Sequence, residues 1–337
     1  MNNQKSLLLR LLRILLLLSG FFVALFLAYH LWTPGMHVRN GRFDRKRNGI
    51  WLQHSWLGTD KWMRRNRKNL SLYRSEKQIK RLYDKLTQHH IRFAFPHVAP
   101  TTLGGQIPAV HHEQMKRFLK IFRGIKLLPW IGGAWGKQAF PEDPKWRKGF
   151  VRSVDRLLKT YPALAGVHLN IEPCRSGNAS FLLLLEETRR VLKKGQLLSV
   201  AAYPPPTLAQ PSKEVHWSRA YYKKVATRTD QLVVMMYDTG LPLSKLYQSL
   251  FASWTREVLK WSENKDVLFG LPAYEDRGVG YHHPDVENLR NSIAGLNRGL
   301  SGFKTLPSHY QGVALYSEWV MTPAKWSKFR ALYLKKD

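Results

Sequence analysis

The stretch Ala165-Gly-Val-His-Leu-Asn-Ile-Glu172 decides how the rest of the chain is read. It alternates like a buried strand and stops on a carboxylate, with Pro173 and Cys174 directly behind. The alternation puts His168, Asn170 and Glu172 on one face. An apolar strand ending on Glu sets an acid at the rim of a core. In a barrel of parallel strands that rim is where the βα loops build an active site.

On either side of this stretch, short β-rich runs alternate with longer helical patterns. The runs are 49–57, 91–98, 126–131, 166–172, 196–202, 232–237, 267–272 and 312–316. Most are near-continuous apolar segments, as parallel strands covered on both faces require. Helical periodicity predicts helices over 75–89, 113–122, 146–160, 180–193, 217–227, 243–264, 285–297 and 323–334. Eight strands, each followed by a helix, define an α/β chain, and the count favours closure into a (β/α)8 TIM barrel. An open doubly wound sheet would need a phosphate-binding turn after an early strand, and Gly132-Gly133 lacks the full glycine spacing. Strand one is the least regular, because Gln53, His54 and Ser55 interrupt it.

With 337 residues and 44% hydrophobic content, the chain can bury one large core. The single Cys174 excludes an intramolecular disulfide and suits packing better than reaction. Lys and Arg number 54 against 23 Asp and Glu, a formal charge of +31. Such an excess favours an anionic polymer, a phospholipid surface or nucleic acid as partner. It is densest between residues 39 and 81, where 14 basic and three acidic residues are interleaved with Phe43, Trp51, Trp56, Trp62 and Tyr73. That segment reads as a patch for anionic lipid or polysaccharide, or as a solvated face beside a membrane. Nucleic acid is not expected, since only charge and scattered aromatics point to it.

Residues 14–32 contain no Asp, Glu, Lys or Arg, and 19 residues are enough to cross a bilayer. A cleaved signal peptide is the competing reading. No small-x-small cleavage site is apparent in Phe26-Leu-Ala-Tyr-His-Leu-Trp32, which favours a retained transmembrane signal-anchor. The expected organisation is a short tail over 1–13, the anchor over 14–32, a basic linker over 33–48 and the barrel over 49–337. Three basic residues precede the span and five follow closely, which taken literally argues for a cytoplasmic barrel. Long domains translocate largely regardless of charge, so the barrel is expected outside the cytoplasm, in a periplasm or at the cell surface.

The strand ends supply the candidate site. Strand three ends at Trp130, Gly132, Gly133 and Trp135, and strand four at His168, Asn170 and Glu172. Strand five runs into Tyr203, strand six into Tyr237 and Asp238, strand seven into Tyr274 and Glu275, and strand eight into Tyr316, Glu318 and Trp319. Flat rings that stack on sugar faces, beside amides and carboxylates that fix hydroxyls, suit a glycan-binding cleft.

At these residues the chain resembles glycoside hydrolase family 18, the chitinase-like barrels, over about residues 49 to 322. Pro129-Trp-Ile-Gly-Gly133 is similar to that family's third-strand Ser-x-Gly-Gly. Gly166-Val-His-Leu-Asn-Ile-Glu172 resembles its fourth-strand Asp-Gly-x-Asp-x-Asp-x-Glu. Met235-Met-Tyr-Asp238 resembles Met-x-Tyr-Asp, and Gly270-Leu-Pro-Ala-Tyr274 resembles Gly-x-Pro-x-Tyr. The family's three aspartates fall on Ala165, His168 and Asn170, and its eighth-strand Trp on Tyr316.

The resemblance implies Glu172 as general acid in a substrate-assisted, retaining hydrolysis, with the sugar's acetamido group as nucleophile. It implies that Asn170 and Tyr237 hold that group and that Asp238 supplies the negative charge Asn170 lacks. An Asn-x-Glu pair also occurs in the endo-N-acetylglucosaminidases of family 85. Trp130, Trp135, His168, Tyr203, Tyr274, Glu275, Tyr316, Glu318 and Trp319 are the expected substrate contacts, with no cofactor or metal.

Other readings stand beside this one. Glu172 paired with Glu275 or Glu318 would make an ordinary two-carboxylate glycosidase. Loss of the ladder aspartates would suit a degenerate barrel that binds glycans without cleaving them. His54, His97 and His168 are the conceivable metal set, with hydrogen-bonded rim histidines the simpler reading. The reading favoured is a membrane-anchored hydrolase of an N-acetylated, anionic cell-surface polysaccharide.

Overall fold

The computed structural model describes residues 2–38, 40–208, 210–278 and 281–335; Arg39 of the basic linker lies outside the described residues, as does the side chain of Lys5 ahead of the span. Nine parallel strands form one sheet: β1 Asn48–Leu52, β2 Ile91–Pro96, β3 Lys126–Leu127, β4 Trp130–Ala134, β5 Gly166–Glu172, β6 Leu197–Ala202, β7 Gln231–Met235, β8 Asp266–Pro272 and β9 Tyr310–Tyr316. Their order is β3-β2-β1-β9-β8-β7-β6-β5-β4.

The first and last strands of that order are two pieces of one. Pro129 lacks an N–H and interrupts the ladder between β3 and β4. The seam stays bonded on both sides: Leu128 N–H donates to Ala94 O at 3.0 Å, Val98 N–H to Trp130 O at 2.8 Å, and His168 N–H to Pro129 O at 2.9 Å. The expected third strand is thus split and the eight-strand cylinder is closed. A closed cylinder has no sheet edge to protect.

Alternation along each strand divides the core in two. Val167, Leu169 and Ile171 pack outward against the helices. Inside the cylinder Trp51, Phe93, Phe95, Leu128, Val233, Leu268 and Ala314 form a separate cluster. The helices begin where the sequence supplies capping side chains. Ser75 Oγ accepts from Gln78 N–H ahead of Glu76–Gln88, Asn178 caps Ala179–Arg189, and Asp143 precedes Pro144 at the start of Pro144–Thr160.

Two expectations need correction. Strand one ends at Leu52, and His54–Trp56 form a 3-10 turn, because Gln53 and Trp56 bend away to bond Glu318. The helix expected over 285–297 is Leu289–Leu300, since Asn288 is its cap. The basic segment also carries two short helices, Asp60–Arg65 and Leu70–Arg74. The N-terminal helix spans Asn2–Leu31, and its stretch Leu7–Leu31 is long and apolar enough to cross a membrane and is nowhere buried.

Candidate active site

The interior filling ends below the C-terminal rim, where a cavity of about 640 Å³ opens. Trp51, Trp130, Asn170, Glu172, Tyr203, Met235, Tyr237, Asp238 and Tyr316 line it, together with residues 210–212 and 214–216, Thr239, Trp254 and Tyr281. Among the described residues, no Lys or Arg lines it.

Strand β5 positions the acid. Trp135 N–H donates to the backbone carbonyl of Glu172 at 2.7 Å, tying β4 to the strand end. Gly132 lets the two strands approach: its φ is +129°, and a Cβ there would lie 2.0 Å from Asn170 O. Burial raises the pKa of Glu172. The Asn170 amide pulls it back by hydrogen bonding the carboxylate, and the negative charge of Asp238 pushes it up again. The net result is a carboxyl that retains its proton above the usual range, as a general acid requires.

Below Glu172, His168 is fully buried and stacked on Phe95 at 4.2 Å between centroids. Trp51 Nε1 donates to its Nε2 at 3.3 Å, its Nδ1 lies 2.8 Å from Ser199 Oγ, and Ser199 donates to Gln231 Oε1 at 2.8 Å. Burial lowers its pKa to about 3, so the ring is neutral. The place of an acidic ladder is taken by an uncharged chain of hydrogen bonds. His168 therefore supports the floor of the site, and its expected contact with substrate is corrected.

Tyr237 and Tyr316 wall the other side, and Tyr274, an expected substrate contact, packs behind them outside the lining. The rings of Tyr237 and Tyr316 stack at 5.5 Å, and Tyr274 meets them edge-on at 5.9 and 5.5 Å. The Tyr274 hydroxyl donates to Asp238 Oδ1. Asp238 itself has φ +61° and is held from behind by the buried Glu287. Glu287 Oε2 accepts from Asp238 N–H at 2.6 Å, and its Oε1 accepts from Thr239 N–H at 3.1 Å and Thr239 Oγ1 at 3.0 Å.

His282, stacked on Tyr274 at 3.9 Å, lies with Nδ1 3.4 Å from Asp238 Oδ1 and 3.6 Å from Glu287 Oε2. Burial alone would lower its pKa, but the two carboxylates outweigh it and raise it to about 9. The trio has ligand atoms close enough to share a metal ion. With the Glu287 oxygens already bonded to three donors, the arrangement is that of an imidazolium between two carboxylates.

Other expected contacts lie elsewhere. Glu275 is exposed and paired with Lys325 Nζ at 2.9 Å, outside the cavity lining. Glu318 accepts from Trp56 Nε1 at 3.2 Å and Gln53 Nε2 at 3.4 Å, also outside the lining. Neither is therefore placed as a second carboxylate beside Glu172; Asp238 is. Trp135 packs against the core and contributes its backbone N–H, while Trp319 sits on the rim edge-on to Tyr316 at 5.8 Å. His54 and His97 face each other with Nδ1 atoms 3.2 Å apart, and burial with mutual repulsion lowers His97 to about 4. His168 is bonded to Trp51 and Ser199, so the three do not form one cluster.

The sequence reading missed Trp51 as cavity wall, the 210–216 loop, and the His282–Glu287 support. Trp51 gave little signal, since it sits between Ile50 and Leu52 and reads as ordinary strand core. Glu287 had none, because its segment reads as amphipathic helix.

Residues 60–291 match the family model for Glycosyl hydrolases family 18. Among solved structures, the spore cortex-lytic enzyme SleL of Bacillus cereus is 10% identical, with a TM-score of 0.58 over 86% of this chain and 74% of that one. A chitinase from Bacteroides thetaiotaomicron is 13% identical, with a TM-score of 0.53 over 85% and 95% of the two chains. A chitinase-like agglutinin from Robinia pseudoacacia is 14% identical, with a TM-score of 0.50 over 84% and 98%. These are likenesses of fold. No curated protein sequence matches.

Proposed function

The chain belongs to glycosyl hydrolases family 18, and on that footing we propose that it is a membrane-anchored, extracytoplasmic hydrolase of an N-acetylated glycan, working by substrate-assisted retention. The observation that carries this reading is Glu172, an acid whose proton is held by burial and by Asp238 beside a cavity of sugar-binding character.

Glu172 gives its proton to the glycosidic oxygen as the acetamido oxygen bonds C1 and the C1–O bond breaks. The leaving sugar departs with a hydroxyl, and an oxazolinium forms. Asn170 and Tyr237 hold the acetamido group against C1. The Asp238 carboxyl, 3.4 Å from His282 Nδ1, faces the positive charge that develops. Water then adds to C1 as the C1–O bond of the oxazolinium breaks and the acetamido group is regenerated. The water gives a proton to Glu172, which restores the acid, and the two displacements retain the anomeric configuration.

Because no Lys or Arg among the described residues lines the cavity, the sugar bound there is neutral. Negative groups of a peptidoglycan-like or acidic exopolysaccharide would meet the cationic exterior. The test is product release from N-acetylglucosamine oligomers by wild type and Glu172→Gln. A loss of about 10²- to 10⁴-fold in kcat is expected, the usual worth of a general acid. Unchanged turnover would exclude Glu172 from that role.

A second reading, glycan binding without cleavage, is favoured by one observation: His168 and Asn170 leave the β5 ladder with Glu172 as its only acid. Saturable oligomer binding with no product over days would select it.

A further inference from the structure

We propose that the barrel lies with its catalytic face against the bilayer that its N-terminal helix spans, and that its substrate is an N-acetylated glycan tethered to that bilayer. This rests on the anchor and hydrolase readings above, and two independent observations carry it.

The first is where the helix leaves the barrel. Lys245 stands in the first turn of Ser244–Trp261, the helix that follows β7, and so lies at the strand C-terminal end. Its Nζ holds the carbonyls of Tyr29 and His30 at 2.7 and 2.8 Å. From there the chain runs down the flank away from the rim. Met36 N–H reaches Ala294 O at 2.9 Å, Asn297 Nδ2 reaches Met36 O at 3.2 Å, and Arg298 reaches Thr33 O at 2.8 Å. Gly35 presses into this track: a Cβ there would come within 2.4 Å of the Gln248 side chain. The connection is seated and has no slack. Leu7–Leu31 is unburied, so it is not packed along the flank. The apolar helix therefore leaves the barrel beside Lys245, on the half of the flank nearer the strand C-terminal end.

The second is the distribution of exposed apolar side chains. Leu103, Leu208, Val215, Leu243, Tyr281 and Trp319 are all exposed, on the loops that follow β2, β6, β7, β8 and β9. Leu103 is 73% and Tyr281 70% exposed. Among the described residues, the loops at the opposite end carry no large exposed apolar side chain. Single exposed apolar residues are ordinary on any surface, but they scatter. Leu72, Leu183 and Leu246 are exposed on helices, but the loops divide cleanly, with exposed apolar side chains at the end nearer the spanning helix, as an interfacial layer of headgroups and acyl chains accommodates. A cleft held in that layer meets glycans attached to membrane lipid before it meets free ones.

The experiment uses the full chain reconstituted in phosphatidylcholine–phosphatidylglycerol vesicles. Leu103→Cys and Lys304→Cys variants are labelled with a fluorophore and exposed to a headgroup-attached quencher; native Cys174 is buried. Lys304 is exposed on the loop before β9, at the opposite end. Strong quenching at 103 with little at 304 is expected, and equal or reversed quenching overturns the orientation. Hydrolysis is then compared for an N-acetylglucosamine tetramer free in solution and the same tetramer conjugated to lipid in the vesicle. The tethered form should be cut about tenfold faster at equal bulk concentration, the gain from confining both partners to one surface. Leu103→Asp with Leu208→Asp should reduce that gain and leave the free tetramer unaffected. Equal rates on both forms overturn the substrate assignment. No cleavage of either form is a failure of the hydrolase reading, and a chain that does not float with vesicles is a failure of the anchor.

Discussion

The chemistry proposed here turns on how few charges surround Glu172. Its proton is useful below its folded pKa and is lost as pH rises through it, so this acid sets the alkaline limb of kcat. Asn170→Asp would place a second carboxylate beside it in the partly buried strand end. Like charges oppose each other's ionisation, so the limb should move up by about one pH unit. A pH profile of kcat on a neutral oligomer measures this, and an unmoved limb with folded protein refutes the assignment. His282 governs stability, and its contribution too is lost as pH rises. Its pKa is about 9 in the folded chain, raised from an ordinary 6.5. The stabilisation is therefore complete below pH 6.5 and disappears as pH rises through 9, with a magnitude on the order of 3 kcal/mol. Melting temperature should fall between pH 7 and 10 in wild type, whereas His282→Gln should be destabilised at pH 7 and nearly flat over that window.

At the scale of strands and helices, the site depends on the close approach of β4 to β5 at Gly132. Gly132→Ala puts a Cβ against Asn170 O in a backbone conformation that L side chains rarely adopt. A loss of about 1 to 3 kcal/mol from strain is expected, with activity falling more than stability because Asn170 and Glu172 shift together. Thermal melts and kcat on the same preparation distinguish the two effects. The strands were legible because runs such as Leu232 to Met235 are buried on both faces and leave an unbroken apolar signature. Glu172 was legible because its strand ends on it. What failed to show was tertiary. Pro129 breaks a strand whose pattern reads straight through it. Gln53 and Trp56 leave β1 for Glu318, 262 residues and more away in sequence. His168 reads as a rim residue because alternation gives a face but not a depth, and only the stack on Phe95 shows how far below the mouth it lies. Glu287 supports Asp238 across a loop and had no local signal at all.

For the molecule as a whole, the formal charge of +31 coexists with a cavity that, among the described residues, no lysine or arginine lines. Cations close to Glu172 would hold it ionised and defeat an acid role; kept on the exterior, they leave its pKa to burial and Asp238. Separation of this kind divides recognition into two terms with different salt dependence. Contacts with sugar in the cavity are short-range and shielded from the bath. Attraction of an anionic chain to the surface acts over distances that salt screens, with a Debye length of about 10 Å at 0.1 M. Raising NaCl from about 50 to about 500 mM should therefore weaken apparent affinity for an acidic polysaccharide by an order of magnitude or more, while kcat/KM for a short neutral N-acetylglucosamine oligomer changes by less than about twofold. Matching the two substrates in one buffer series makes the comparison internal. If the neutral oligomer loses activity in parallel with the polymer, charge acts inside the cavity, and the division between a neutral cleft and a cationic shell is wrong.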